Sequence, residues 1–154
     1  MITLANTLKV ADIEMNLAAE TLPIATANLL NVLRHDKRVT NWAGLVDDMG
    51  ATDICVAGAL ETNFCIPHAR TRAVQTMVIA AGRCLEGIPT SNGSPARCHY
   101  VFVIGIPVAM DGDYLRLVGS IARAFHRPDL VKRLNGATTA TELHQALSEA
   151  ERVL

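Results

Sequence analysis

One histidine in this chain is placed to do covalent chemistry. The run Asn63-Phe64-Cys65-Ile66-Pro67-His68 sets an apolar, strand-like stretch, then a proline, then an imidazole, and Ala69-Arg70 follow. Proline has no N–H to give a sheet ladder, so it stops the stretch. The histidine is therefore expected at a strand end, where a second molecule can reach it. A neutral imidazole is a nucleophile near pH 7 and can carry a covalent intermediate. Taken alone, the same run also fits a solvated loop histidine.

The other reactive side chains form weaker patterns. Cys55, Cys65, Cys84 and Cys98 include no C-x-x-C pair. Cys55 and Cys65 sit in apolar runs, where a free thiol behaves as a small hydrophobe, so all four are expected to be reduced and non-catalytic. Cys65, His68, Cys98 and His99 could be imagined around zinc, but their spacing matches no usual zinc pattern, and no metal or cofactor is assigned. His99 borders an apolar strand run and reads as a hydrogen-bonded histidine. His126 reads as a cation at a helix C-terminus. His35 and His144 are assigned no role, and Asp47-Asp48 reads as a solvated acidic pair at a helix end.

These side chains need elements to hold them. Residues 8–10 or 13–17 can hold a short element. Thr21-Leu22-Pro23 reads as a helix start, with Leu22, Ala25, Leu29, Leu30 and Leu33 at helical spacing. A second helix is expected from Asn41 to about Met49, ending at Gly50. The middle is β-like: residues 54–59, 64–66, 74–81 and 100–106 are rich in apolar residues, with Val, Ile and Phe prominent. The last two runs are nearly continuous, as for strands covered on both faces, and the cluster 89–95 between them is a turn. Asp113 is expected to cap a helix with apolar positions Tyr114, Leu117, Val118, Ile121, Ala122 and Phe125. Pro128 starts a short helix that ends at Asn135-Gly136. Thr139-x-x-Glu142 is a capping box for a last helix carrying Leu143, Ala146 and Leu147. Helices before and after apolar strands predict a three-layer α/β/α sandwich with a mixed β-sheet.

The 154 residues are expected to form a single domain, 1–154. Half of them are hydrophobic and 19% are charged, enough for a self-sufficient core that buries roughly 70% of the unfolded surface. A net charge of -1, no long basic run and only 4% aromatic residues argue against nucleic acid as a partner. The N-terminus lacks a basic leader with an apolar core, and the longest mostly apolar run, 100–110, falls short of the ~18 residues a membrane helix needs. A cytoplasmic protein with no direct membrane insertion is expected.

The run Phe64-Cys65-Ile66-Pro67-His68 resembles the Pro-His signature of enzyme IIA domains of the mannitol/fructose type, from the bacterial phosphoenolpyruvate-dependent sugar phosphotransferase system. The nitrogen-regulatory enzyme IIA proteins share that fold. The likeness extends from about Thr21 to Glu151. Ala69-Arg70-Thr71 and Ala73-Val74 look like the continuation of the signature. Gly82-Arg83 and Glu86-Gly87-Ile88 look like the end of the next strand and its turn. Residues 100–107 look like the following apolar strand, 115–125 and 130–134 like paired C-terminal helices, and 139–147 like the closing helix. The chain departs from the family in having Asn63 where glycine usually heads the signature. It has no arginine in 45–61, where many members carry one near the position of Thr52-Asp53. Tyr114 stands where many have a second histidine.

The resemblance implies that His68 accepts phosphate from an HPr-like phosphocarrier protein and passes it to a IIB component, or uses it to regulate a target protein. It makes the chain a candidate phosphotransferase component. Arg70 and Arg72 are then the nearest candidates to hold the phosphoryl charge, with Tyr114 and Arg116 at the C-terminal helix and Thr62 and Asn63 as hydroxyl and amide donors. The alternative is a binding module of the same fold that has lost the transfer. The bland readings are surface charges for Arg70 and Arg72, and the first core residue of its helix for Tyr114.

Overall fold

The computed structural model describes residues 2–50, 55–90 and 96–152. The position aligned with the family's arginine, Thr52-Asp53, lies outside them, as do Ile54 and most of the 89–95 turn cluster.

The elements run in the order α1 (Leu4–Thr7), β1 (Leu8–Glu14), α2 (Leu22–Val32), α3 (Trp42–Asp48), β2 (Phe64–Cys65), β3 (His68–Arg70), β4 (Val78–Pro89), β5 (Arg97–Ile106), α4 (Asp111–Phe125), α5 (Pro128–Gly136) and α6 (Ala140–Glu149). The sheet order is β1-β4-β5-β2, with β3 also on β5. β1 runs parallel to β4, β4 antiparallel to β5, and β2 and β3 parallel to β5. This mixed sheet has helices on both faces, the three-layer α/β/α sandwich that the apolar runs predict.

Alternation along β4 and β5 explains the layers. Ile79, Ala81, Tyr100, Phe102 and Ile104 face one way and pack with α1, α4, α5 and α6 through Leu4, Leu117, Ile121, Phe125, Leu130, Leu134 and Leu147. Val78, Ala80, Val101 and Val103 face the other way, against Leu22, Ala25, Leu29 and Leu33 at the α2 end and Leu45 of α3. A strand buried on both faces must be apolar at every position, which is why these stretches read as continuous runs. Phe125 anchors the larger core: its ring stacks on Phe64 at 4.6 Å and meets Tyr100 at 5.0 Å.

Local signals set the helix starts. Thr21, Asn41 and Thr139 each accept a backbone N–H from the first turn of the helix that follows, as capping chemistry requires.

Four expectations are corrected. The helix assigned a cap at Asp113 begins at Asp111 instead, and its N-cap position, Met110, offers no side-chain bond. The strand expected at 74–81 starts at Val78, because Val74 pairs only with Val39 in an isolated bridge. It does not end at Gly82-Arg83 but continues to Pro89, through a register shift between Arg83 and Ile88 that contains Gly87 at φ +82. In 54–59, Val56 makes a single bridge to Phe64 and residues 59–61 form a tight turn with Leu60 and Glu61 at positive φ.

Candidate functional site

Pro67 separates two short parallel strands on the same side of β5. Phe64 is registered with Tyr100, and His68 with Ile104. His68 thus opens β3 rather than closing β2. Along β3 the exposure alternates, so His68 and Arg70 share the open face while Ala69 is buried. The first turn of α4 stands opposite. His68, Arg70, Ile106, Asp111, Tyr114 and Leu115 line a recess of about 210 Å³.

Three contacts define the chemistry there. Nδ1 of His68 lies 2.8 Å from the carbonyl oxygen of Ile66. A carbonyl can only accept, so Nδ1 carries the proton and the lone pair sits on Nε2. The rings of His68 and Tyr114 lie 5.0 Å apart, tilted by 32°. Tyr114 also packs on the core, and burial raises its phenol above the usual range, so at neutral pH it is a neutral donor. Arg70 Nη2 sits 2.8 Å from Asp111 Oδ2. Burial of the ion pair is slight: the two side chains are 63% and 53% exposed.

The structure brings Arg70 and Tyr114 to His68. It does not bring Thr62 or Asn63, which lie at the other end of β2, about 16–20 Å of extended chain away by strand geometry. The Asn63 side chain donates to the Arg97 carbonyl at 2.9 Å, and the buried Thr62 hydroxyl accepts from Asn135 at 3.2 Å. Neither residue lines the recess, because the parallel register on β5 carries both past it. Arg72 is exposed and does not line the recess. Arg116 turns to Asp113, 3.9 Å away, and borders a neighbouring groove.

His99, His144 and the buried thiols have structural partners. His99 accepts the Asn63 amide on Nδ1 at 3.1 Å, and burial followed by Arg97 lowers its pKa. His144 Nε2 reaches the Ala5 and Leu8 carbonyls. Cys65 and Cys98 are fully buried with sulfurs 3.3 Å apart. A hydrogen bond with Cys55 lowers the Cys98 thiol pKa, but the Cys65 contact and burial outweigh it and raise it far above the usual range. The Cys98 thiol therefore stays protonated and unreactive. Among the described residues no group of three or more His, Cys, Asp or Glu is placed to hold a metal ion, which removes the Cys65-His68-Cys98-His99 alternative.

Two contributors at His68 were not singled out in the sequence: the Ile66 carbonyl and Asp111. The first had a signal, since the residue before a proline is restricted to extended backbone. The second, an acid at a helix start, had only a composition signal.

A family model described as "Phosphoenolpyruvate-dependent sugar phosphotransferase system, EIIA 2" matches residues 6–150. The chain belongs to that family. A curated relative from Haloferax volcanii, named PTS system fructose-specific EIIA component, is 29% identical over 84 residues. That alignment takes in 54% of each sequence, so the chain spans about half the length of the curated relative it matches. Among solved structures, the nitrogen regulatory protein IIA-Ntr of Neisseria meningitidis superposes with a TM-score of 0.75 at 16% identity, covering 94% of this chain and 98% of that one. The mannitol enzyme IIA of Escherichia coli, solved in complex with phosphorylated mannitol enzyme IIB, gives a TM-score of 0.67 at 14% identity, covering 92% and 99%. At these identities the likeness is one of fold. No helix among the described residues is long and apolar enough to cross a membrane.

Proposed function

We propose that this enzyme IIA-family protein accepts a phosphoryl group on Nε2 of His68 from an HPr-like phosphocarrier and relays it to a IIB component or uses it to regulate a target protein. One observation carries the reading: the Ile66 carbonyl fixes the Nδ1–H tautomer at 2.8 Å and leaves the Nε2 lone pair for attack. In the transfer, that lone pair forms the new N–P bond in line with the donor's P–N bond. The donor bond breaks with its electron pair returning to the donor ring. The His68 ring becomes cationic as it bonds, and its Nδ1–H bond to the carbonyl strengthens. No metal or cofactor enters the step.

Around the phosphoryl group, Arg70 supplies a cation on the same face of β3, and Tyr114 a hydroxyl. The first-turn amides of α4, which have no side-chain cap, add the positive end of a fifteen-residue helix. Leu115, 68% exposed, and Val108, 58% exposed, flank this end of the sheet and give a protein partner an apolar rim.

The second reading, docking without transfer, draws on the Arg70–Asp111 pair, since the one arginine at hand is already neutralised. One experiment separates the two. The protein is incubated with phosphoenolpyruvate, enzyme I and the cognate phosphocarrier. Acid-labile, base-stable phosphate on the wild type and none on His68→Ala supports transfer. No labelling by a phosphocarrier shown to be charged overturns it in favour of docking.

A further inference from the structure

Building on the phosphoryl-acceptor reading of His68, we infer that Asp111 is a positioning residue that sets the stability of the phosphorylated state by competing with the phosphoryl group for Arg70. His68 and Arg70 project from the same face of β3, one alternate position apart. Arg70 is bound instead to Asp111, 2.8 Å away across the recess. The pair is solvent-exposed, so it is held weakly and is exchangeable. A phosphoryl group on His68 brings nearly two negative charges and three acceptor oxygens, a stronger partner for a guanidinium than one carboxylate. Arg70 therefore turns from Asp111 to the phosphate.

The exchange has a cost that stays in the site. Asp111 loses its arginine and remains beside the new dianion. The only other acid in that turn, Asp113, is faced by Arg116 at 3.9 Å. Asp111 is the first residue of α4, where the helix dipole favours a carboxylate. Like charge across the recess raises the free energy of phospho-His68 and helps the group leave for the next acceptor. Asp111 thus holds Arg70 in place for the unmodified site and limits how far phosphate accumulates there.

The measurement is a phosphoryl-transfer equilibrium. The full chain is mixed with a stoichiometric amount of phosphorylated phosphocarrier, enzyme I absent, and the phosphorylated fraction is read by ³¹P NMR at low and high salt. Asp111→Asn is expected to shift the equilibrium toward phospho-His68 by about two- to fivefold, the scale of one exposed charge interaction. Arg70→Gln is expected to shift it the other way. Asp111→Glu should restore the wild-type value, and the Asp111→Asn effect should shrink in the Arg70→Gln background, since the two residues act through one another. An unchanged equilibrium in Asp111→Asn, with wild-type protein labelled normally, overturns this inference alone, as does an undiminished effect in the Arg70→Gln background. A wild-type protein that takes no phosphate overturns the acceptor reading and this inference with it.

Discussion

The carbonyl oxygen of Ile66 accepts the Nδ1 proton of His68 across 2.8 Å, so the residue before the proline orients the imidazole after it. Pro67 makes this local clamp possible. It holds Ile66 in extended backbone and breaks the strand, so that His68 starts β3 two residues on.

The clamp predicts a tautomer. Long-range ¹H–¹⁵N correlation on the neutral protein should show His68 protonated at Nδ1 with Nε2 bare. A ring protonated mainly at Nε2 would remove the basis for attack through that atom. After phosphorylation the N–P bond should be found on Nε2.

Tyr114 packs its ring against His68 and lines the recess, and its hydroxyl is the donor proposed for the phosphoryl group. Tyr114→Phe keeps the ring, so the initial rate of phosphate uptake should fall by about two- to tenfold, the worth of one hydrogen bond. Tyr114→Ala removes both and should slow uptake further. If the Phe variant takes up phosphate at the wild-type rate, the hydroxyl does not touch the phosphoryl group.

The sequence reveals whatever is decided locally. Thr21, Asn41 and Thr139 are legible as helix starts, and each bonds a backbone amide three residues on. Strands β4 and β5 are legible in outline because burial on both faces demands unbroken apolar runs. The extension of β4 through Gly82-Arg83 and Gly87 to Pro89 is not legible, since those residues look like a turn and long-range pairing, with β5 and at Gly82 also with β1, keeps them in the sheet. β1 is half-legible for a similar reason: its middle residues are exposed, and its register with β4 shifts between Leu8 and Ile13. At the site, the position of His68 follows from its neighbours in the chain. Asp111 lies forty-one residues from its partner Arg70, and nothing local announces the pairing.

Arg83 is such a long-range residue, and it should matter for stability. It is 7% exposed, and its guanidinium donates to the carbonyls of Leu134 and Ala137 at 2.8 and 2.9 Å, closing the C-terminal end of α5 with a cation. Asn135 beside it accepts from the Tyr100 hydroxyl and donates to Thr62, so the same end of α5 is tied to β5 and to the segment before β2. Arg83→Met leaves buried carbonyls without donors and should cost about 2–4 kcal/mol. Urea unfolding with an unchanged slope is the measurement. A loss below about 0.5 kcal/mol would mean that water replaces the guanidinium.

A buried acid pair away from His68 predicts how stability depends on pH. Asp12 of β1 and Asp36 are both nearly inaccessible and share a hydrogen bond, with Arg38 reaching Asp36 at 2.7 Å and Asp12 at 3.5 Å. Burial, then the hydrogen bond and charge of Asp36, push Asp12 up to about 7, against the lowering pull of Arg38 and Lys9. Burial also acts to raise Asp36, but the hydrogen bonds from Arg38 and Asp12 prevail and hold it well below the usual carboxylate range. The pair therefore keeps one proton that the unfolded chain, titrating near 3.8, has released. Between about pH 4 and pH 7 the folded state binds more protons than the unfolded state, so the Asp12 contribution to stability falls as pH rises through that window. The Asp36 contribution has the opposite sign: it is present above the ordinary value and is lost as pH falls below it. Asp12→Asn replaces the shared proton with an amide donor that does not titrate. It should remove the decline between pH 4 and 7 and leave the variant more stable than wild type at pH 8. Thermal or urea unfolding of both proteins across this range tests it, and parallel pH profiles would show that the two carboxyls do not share a proton.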